Sequence, residues 1–249
     1  MLLAVDLGNS AVSLGAFDGD RLVRRWQIDV DGESDPGSWR QRLRVVRDAG
    51  PQFGRCLIAS VAPSHTESLA AAAAAFCDSV TLLQGTALPG VRALVREPQG
   101  VGIDRLLNCL ACARLHAAPA IVVDVGTATT LDFVTGAGDY GGGVIAPGPR
   151  VSVAALAAAA QLLPPVRFAR PDRILGLDTE TCMQSGAYWG FVGLVRELLA
   201  RLREEVGPID AVVGTGGNCA LIAEDVPELE RIDPDLTLRG IALAGEGTG

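Results

Sequence analysis

The apolar positions of this 249-residue chain fall into short runs of strand length and longer segments with helical spacing. Turns rich in Asp and Gly separate the first short runs. The predicted strands are residues 2–6, 11–17, 22–30, 56–61, 80–83 and 209–213. Residues 121–133 are predicted to form the first part of a further hairpin, whose partner lies near residues 143–145. The predicted helices are residues 39–49, 64–77, with Ser64 as its N-cap, 106–117, 151–162 and 186–206. Residues 31–38 and 100–105 are predicted loops.

One short apolar run ends on an acid at a tight turn. Residues 121–125 form a buried strand that delivers Asp124 to its tip, and Gly126 permits a close backbone turn. Threonine hydroxyls follow, so that carboxylate, N–H and O–H groups meet at one point, which suits a phosphate with its metal ion. The alternative is a plain hairpin turn in which Asp and Gly are present only as turn formers.

The same pattern occurs at the N-terminus, where Asp6 ends a short apolar run and Gly8 follows it. The two acids lie 118 residues apart, about half the chain, which indicates an internal duplication. The prediction is an α/β protein with two lobes, residues 1–117 and 118–249. A third glycine-rich turn, residues 214–217, follows a later strand and could let an adenosine lie against the backbone, or could be an ordinary strand-to-helix loop.

A further acid precedes the helix predicted over residues 106–117. In Gly102-Ile103-Asp104-Arg105, Asp104 is a candidate to accept a proton from an attacking hydroxyl, and Arg105 is a candidate to bind an anionic group. The alternative is structural, because Asp is a favoured N-cap and every helix has to begin at some residue.

Composition excludes several functions. All 21 basic residues are arginine, so the chain has neither the lysine of a Walker A loop nor one for Schiff-base chemistry. The net charge of −8 opposes binding to a nucleic-acid backbone. The N-terminus does not have the pattern of a signal peptide, and the longest uncharged apolar stretch is too short to span a bilayer. A cytoplasmic protein with free cysteines is therefore expected.

Three potential zinc ligands share one face of the helix predicted over residues 106–117. Cys109, Cys112 and His116 have helical spacing, but the sequence has no second Cys-x-x-Cys and only one other histidine. Packing of small residues is the favoured interpretation, with a metal site as the alternative.

Taken together, these motifs resemble type III pantothenate kinases, of the actin and sugar-kinase superfamily. The match runs in order through nearly the whole chain. It comprises residues 6–10 (DLGNS), 59–63 (ASVAP), 102–105 (GIDR), 124–130 (DVGTATT), 142–148 (GGVIAPG), Thr179 with residues 184–186 (QSG), and 215–217 (TGG).

The resemblance implies two duplicated actin-like (ribonuclease H-like) lobes with a nucleotide cleft between them. It implies ATP-dependent phosphorylation of pantothenate to 4′-phosphopantothenate, the first step of coenzyme A biosynthesis. It also implies Mg²⁺, a monovalent cation (K⁺ or NH₄⁺) and a homodimer.

The resemblance also assigns residue roles. It makes Asp104 the catalytic proton acceptor, Asp124 the holder of the monovalent cation, and Asp6 a ligand of Mg²⁺ through water. Pantothenate is contacted by Gly102, Ile103, Asp104, Arg105, Val95 and, from the partner subunit, Thr179. ATP is bound by Asp6, Leu7, Gly8, Asn9, Ser10, Ala11, Val12, Ser13 and Thr127.

Two positions depart from the family pattern. Val95 or Glu97 stands where the family often has an aromatic or amide residue that touches pantothenate, and Ser10 replaces the commoner threonine. The first departure motivates one alternative, a non-catalytic nucleotide-binding relative with an accessory or regulatory role. A kinase of the same fold acting on a sugar or acetate is the other alternative.

Overall fold

The computed structural model describes residues 1–30, 35–50, 52–84 and 88–246. The strands are β1 Leu2–Leu7, β2 Ala11–Asp18, β3 Arg21–Asp29, β4 Arg55–Ser60, β5 Val80–Leu82, β6 Ala120–Val125, β7 Ala128–Val134, β8 Tyr140–Pro147, β9 Ala211–Thr215 and β10 Arg231–Ile232. The helices are α1 Pro36–Arg42, α2 Arg44–Ala49, α3 Pro63–Ala73, α4 Ile103–Leu115, α5 Pro149–Ala159, α6 Thr179–Val206 and α7 Leu236–Glu246.

The strands form two five-stranded sheets with the same order of strands. The first sheet is β3-β2-β1-β4-β5, and the second, written in the same direction, is β8-β7-β6-β9-β10. In each sheet the central strand pairs antiparallel with the strand that follows it and parallel with the next one, β4 or β9. This repeated topology confirms the predicted duplication of an α/β lobe.

The chain divides into two compact units. The first comprises Met1–Arg114, Gly138–Tyr140 and the chain from Asp235, and the second comprises Leu115–Ala137 and Gly141–Pro234. The C-terminal helix α7 packs on β1 and β4 and so belongs to the first unit. The lobe boundary between residues 117 and 118 stays a prediction, and the sequence pattern gave no sign that α7 belongs to the first unit.

Each unit has its own hydrophobic core. Leu3, Val5 and Ile58 are among the fully buried residues of the first core, and Ile121, Val123 and Val212 of the second. These side chains come from the central strands, which explains why those strands are near-continuous apolar runs. The next-to-last residue of each central strand, Asp6 or Asp124, is only half-buried, although the residue after it belongs to the core.

Several predicted boundaries were wrong for local reasons. Helix α4 begins at Ile103, inside the predicted loop, and α6 begins at Thr179 because Asp178 caps it by accepting the N–H of Thr181 at 2.8 Å. Helix α3 begins at Pro63, so Ser64 is not its N-cap. Of the predicted loop over residues 31–38, positions 31–34 lie outside the described residues and 36–38 belong to α1. Within the described residues, none of the helices has the length and apolar character to cross a membrane.

Candidate active site

The β1–β2 hairpin holds the first acid-tipped turn. Asp6 pairs with Ser13 across the hairpin, and the N–H of Gly8 donates to the carbonyl oxygen of Ala11 at 3.0 Å. Within this turn Asn9 and Ser10 are exposed. The predicted ATP residues are therefore distributed as Asp6 and Leu7 in β1, Gly8, Asn9 and Ser10 in the turn, and Ala11, Val12 and Ser13 in β2.

The β6–β7 hairpin repeats this arrangement in the second unit. Asp124 pairs with Thr130, and the N–H of Gly126 donates to the carbonyl oxygen of Ala128 at 2.9 Å. Thr127 lies at the exposed tip of the hairpin. Each acid is thus the next-to-last residue of a central strand, and in the turn that follows a backbone N–H donates to a carbonyl oxygen on the other side of the turn.

The glycine-rich turn over residues 214–217 lies directly against Asp124. A Cβ atom on Gly216 would lie 2.3 Å from Asp124 Oδ1 and 2.7 Å from the backbone N and O of Val125, and the φ angle of Gly216 is +89°. Only glycine fits this close approach and this conformation. Asn218 then anchors the turn, since its backbone N–H donates to the carbonyl oxygen of Val125 at 2.9 Å.

A second glycine closes the other side of the β6–β7 turn. The N–H of Gly148, just before α5, donates to the carbonyl oxygen of Thr127 at 3.1 Å. A Cβ atom on Gly148 would lie 2.3 Å from the carbonyl oxygen of Gly126 and 2.4 Å from that of Thr127. Three segments distant in sequence therefore meet at the Asp124 turn: the hairpin, the start of α5 and the turn after β9.

The oxygen atoms at this turn suit a hard cation. Asp124 Oδ1 and the carbonyl oxygen of Val125 both border Gly216, and carboxylate and carbonyl oxygens are the ligands such ions prefer. Within the described ranges, His, Cys, Asp and Glu side chains form no group of three or more that could hold a metal ion.

Asp104 lies in the first turn of α4, whose first residue is Ile103. Its Oδ1 accepts the backbone N–H of Arg105 at 2.9 Å, one of the N–H groups that a helix N-terminus leaves unpaired. A Cβ atom on Gly102 would lie 2.5 Å from the same Oδ1, so the glycine leaves room for this carboxylate. Asp104 therefore stabilises the helix terminus, as the structural alternative expects, although it is not the N-cap residue.

Burial changes the acidity of Asp104. Desolvation raises the pKa of this carboxyl above its usual value, and the N–H and positive charge of Arg105 oppose the rise. A carboxylate with a raised pKa is a stronger base than an exposed aspartate and gains more by accepting a proton. Asp104 therefore accepts a hydrogen bond at the helix terminus and has a carboxyl group with a raised pKa.

The remaining predicted substrate residues lie in different places. Val95 is half-buried and follows a segment that pairs with the start of β8, where the N–H of Leu94 donates to the carbonyl oxygen of Tyr140 at 2.8 Å. Thr179 is exposed at the first position of α6.

Comparison with known proteins gives the family. The family model of type III pantothenate kinase matches residues 2–201. The type III pantothenate kinase of Rhodospirillum centenum is 37% identical over 255 residues, covering 98% of this chain and 97% of the relative. The chain belongs to the type III pantothenate kinase family. The predicted activity, ATP-dependent phosphorylation of pantothenate on an alcohol group, is thereby confirmed, and this family does not favour the regulatory alternative.

Solved structures agree on the fold of this pantothenate kinase. A Campylobacter jejuni protein described as a Baf family transcriptional activator superposes with a TM-score of 0.63 at 18% identity, covering 99% of this chain and 98% of that one. A ROK hexokinase from Thermus thermophilus superposes with a TM-score of 0.53 at 16% identity, covering 100% of this chain and 99% of the hexokinase chain. At these identities the similarity shows the actin-like kinase fold alone, which confirms the predicted fold class.

Sequence reasoning missed two polar residues of the kinase's second unit. Asn218 fixes the Gly216 turn, and its side-chain Nδ2 lies 3.4 Å from the carbonyl oxygen of Gly126. Asp132 is fully buried in β7 and accepts the hydroxyl of Thr130 at 2.9 Å. Its position two residues beyond Thr130 places both on one face of the strand, which was a usable signal.

The cysteine-rich helix face is also clarified. Cys109 and Cys112 are fully buried in α4, and His116 Nε2 lies 3.1 Å from Asp233 Oδ2. Burial of the two thiols agrees with the packing interpretation of this face.

Proposed function

We propose that Asp104 accepts the proton of the pantothenate hydroxyl during phosphoryl transfer. The oxygen of this alcohol forms a bond to the γ-phosphorus of ATP, the bond from that phosphorus to the β–γ bridging oxygen breaks, and ADP leaves. Phosphoryl transfer needs little covalent help, so Asp104 chiefly orients the nucleophile before it accepts the proton. The observation that supports this role is the half-buried Asp104 carboxylate, which accepts the backbone N–H of Arg105 at 2.9 Å and whose pKa desolvation raises.

The substrate roles follow the family assignment. Arg105 binds an anionic group of the substrate through its planar guanidinium, and Gly102, Ile103 and Val95 line the same site. ATP is bound by the β1–β2 hairpin, residues Asp6 to Ser13, and by Thr127. Mg²⁺ is held by Asp6 through water, because this ion keeps most of its hydration shell, and it neutralises phosphate charge when bound.

We further propose that Asp124 holds a monovalent cation, K⁺ or NH₄⁺. Replacement of Asp124 by Asn is expected to raise the K⁺ concentration needed for half-maximal activity by about tenfold, since the charged ligand is lost. The measurement is the initial rate as KCl is varied at constant ionic strength. Asp210→Asn, an exposed carboxylate of the same unit, is the matched control and should leave the K⁺ response unchanged. An unchanged response in Asp124→Asn would remove Asp124 from this role.

The kinase is further proposed to act as a homodimer, with Thr179 reaching the partner's substrate. Four large apolar residues shortly before Thr179 are strongly exposed, Leu162 by 94%, Leu177 by 74%, Ile174 by 68% and Leu175 by 66%. Exposed apolar side chains of this size, so close together in the chain, are typical of a protein interface. The partner that covers these residues is a second copy of this chain, because Thr179 is proposed to reach the substrate of such a copy.

Sedimentation equilibrium tests the dimer. The unmodified protein should have the mass of two chains. The double substitution Leu162→Glu with Leu177→Glu should lower the measured mass to that of one chain and should also lower the activity. Val45→Glu, which places the same charge on an exposed residue of α2, is the control. A monomeric, fully active unmodified protein would contradict the proposal.

We propose a cytoplasmic location because the cysteines are not joined in disulfides. None of the six cysteines, all of which lie in the described part of the chain, forms a disulfide, as expected of a protein kept in a reducing compartment. The substrate is tested by offering pantothenate, glucose, N-acetylglucosamine and acetate to the kinase with ATP and identifying phosphorylated products by mass spectrometry. Only the pantothenate reaction should give product, and preference for a sugar or acetate would overturn the assignment.

A further inference from the structure

Arg105 rests against an aromatic ring from a distant part of the chain. Tyr140, the first residue of β8, is only 3% exposed, and the guanidinium carbon of Arg105 lies 5.2 Å from the centre of its ring. A cation within about 6 Å of a ring centre is attracted by the electron-rich face of that ring. The contact joins residues 35 positions apart in the chain, and none of the sequence motifs pointed to it.

The backbone of Tyr140 is fixed on both sides by the segment that leads to Val95. The N–H of Tyr140 donates to the carbonyl oxygen of Arg92 at 2.9 Å, and its own carbonyl oxygen accepts the N–H of Leu94 at 2.8 Å. The ring therefore has a defined position, set by strand-like pairing and burial.

The neighbouring Asp139 holds the same segment. Its buried carboxylate accepts the backbone N–H of Arg92 at 3.0 Å and the side-chain Nε of Arg92 at 3.2 Å. The hydrogen bond from the Arg92 side chain lowers the pKa of Asp139, so this link is intact at neutral pH and is lost only as pH falls through that lowered value.

We propose that Tyr140 is a positioning residue that holds the Arg105 guanidinium in place for the anionic group of the substrate. This rests on the proposed role of Arg105 in substrate binding. A long arginine side chain loses considerable rotamer freedom when a ligand fixes it. Tyr140 restricts that freedom before the substrate arrives, which favours binding without a contact between the tyrosine and the reacting atoms.

Steady-state kinetics of the purified full-length kinase test this role. Tyr140→Leu should raise KM for pantothenate by about fivefold to tenfold, with KM for ATP unchanged, because the ring face is lost. Tyr140→Phe keeps the ring and should stay within about twofold of the unmodified protein. A merely structural role would lower the melting temperature without separating the two KM values, so melting is recorded for every variant.

A double-mutant cycle identifies the residue through which Tyr140 acts. Arg105→Met should itself raise KM for pantothenate, and adding Tyr140→Leu to it should then cause no further rise. If Arg105→Met leaves KM unchanged, the proposed function of Arg105 fails. If Arg105→Met raises KM but Tyr140→Leu does not, or if the two effects add in full, the role of Tyr140 fails alone.

A substitution series of constant shape covers the case in which Tyr140→Leu does not fold. Phenylalanine, difluorophenylalanine and trifluorophenylalanine at position 140 progressively weaken the negative face of the ring with little change in size. KM for pantothenate should rise along this series. A flat series would overturn the inference.

Discussion

Asp104→Asn is expected to lower kcat by about 10²–10⁴-fold while leaving ATP affinity nearly unchanged. Asparagine keeps an oxygen that can accept the N–H of Arg105, so the first turn of α4 should persist. It cannot accept a proton, so orientation and deprotonation of the alcohol are both impaired. The measurements are kcat in a coupled ADP-release assay and the dissociation constant of an ATP analogue by calorimetry.

Thermal unfolding of the same variant separates catalysis from structure. Burial raises the pKa of Asp104, so protonation favours the folded state, and this group alone lowers stability as pH rises through that pKa. Asparagine removes this cost, and the melting temperature at neutral pH should be unchanged or higher. A variant that unfolds and loses ATP binding together would show that the helix-terminal role of Asp104 is the important one.

Gly216→Ala is expected to lower the free energy of unfolding by about 2–4 kcal/mol and to weaken ATP binding by at least about tenfold. Alanine is strained at a φ of +89°, and its Cβ would meet Asp124 Oδ1 and the backbone of Val125. Relief of these contacts must displace the β6–β7 turn that carries Thr127. Calorimetric titration and thermal unfolding measure the two effects.

Gly217→Ala is the matched control for this substitution. A Cβ atom on Gly217 would have no neighbour within 4 Å, and its φ is not positive. The control should bind ATP and unfold like the unmodified protein. If Gly216→Ala and Gly217→Ala behave alike, the packed contact between the Gly216 turn and Asp124 has no functional importance.

The fold was predictable because its signals are local. The apolar runs that end on Asp6 and Asp124 are central strands, and their spacing revealed a duplication that the two sheets repeat strand for strand. Helix ends were harder to predict. Helix α4 begins at Ile103, and the side chain that accepts a terminal N–H belongs to Asp104, which lies inside the helix and not at the N-cap position that the capping rule considers.

The site was predictable only as separate pieces. The motifs identified the Asp124 turn and the Gly216 turn, but their contact depends on the parallel pairing of β6 with β9, which joins residues about ninety positions apart. Asn218 and Tyr140 act through such long-range contacts, and neither is marked by composition or spacing. Long-range pairing is set by the whole sheet, so no local pattern could have located these partners.

Pantothenate-dependent release of ADP tests the central claim most directly. The purified kinase with ATP, Mg²⁺ and K⁺ should release ADP only when pantothenate is added, and each ADP should be matched by one phosphorylated pantothenate. The account would be contradicted by ADP release at the same rate with and without pantothenate. It would also be contradicted if no ADP were released with pantothenate, Mg²⁺ and K⁺ all present.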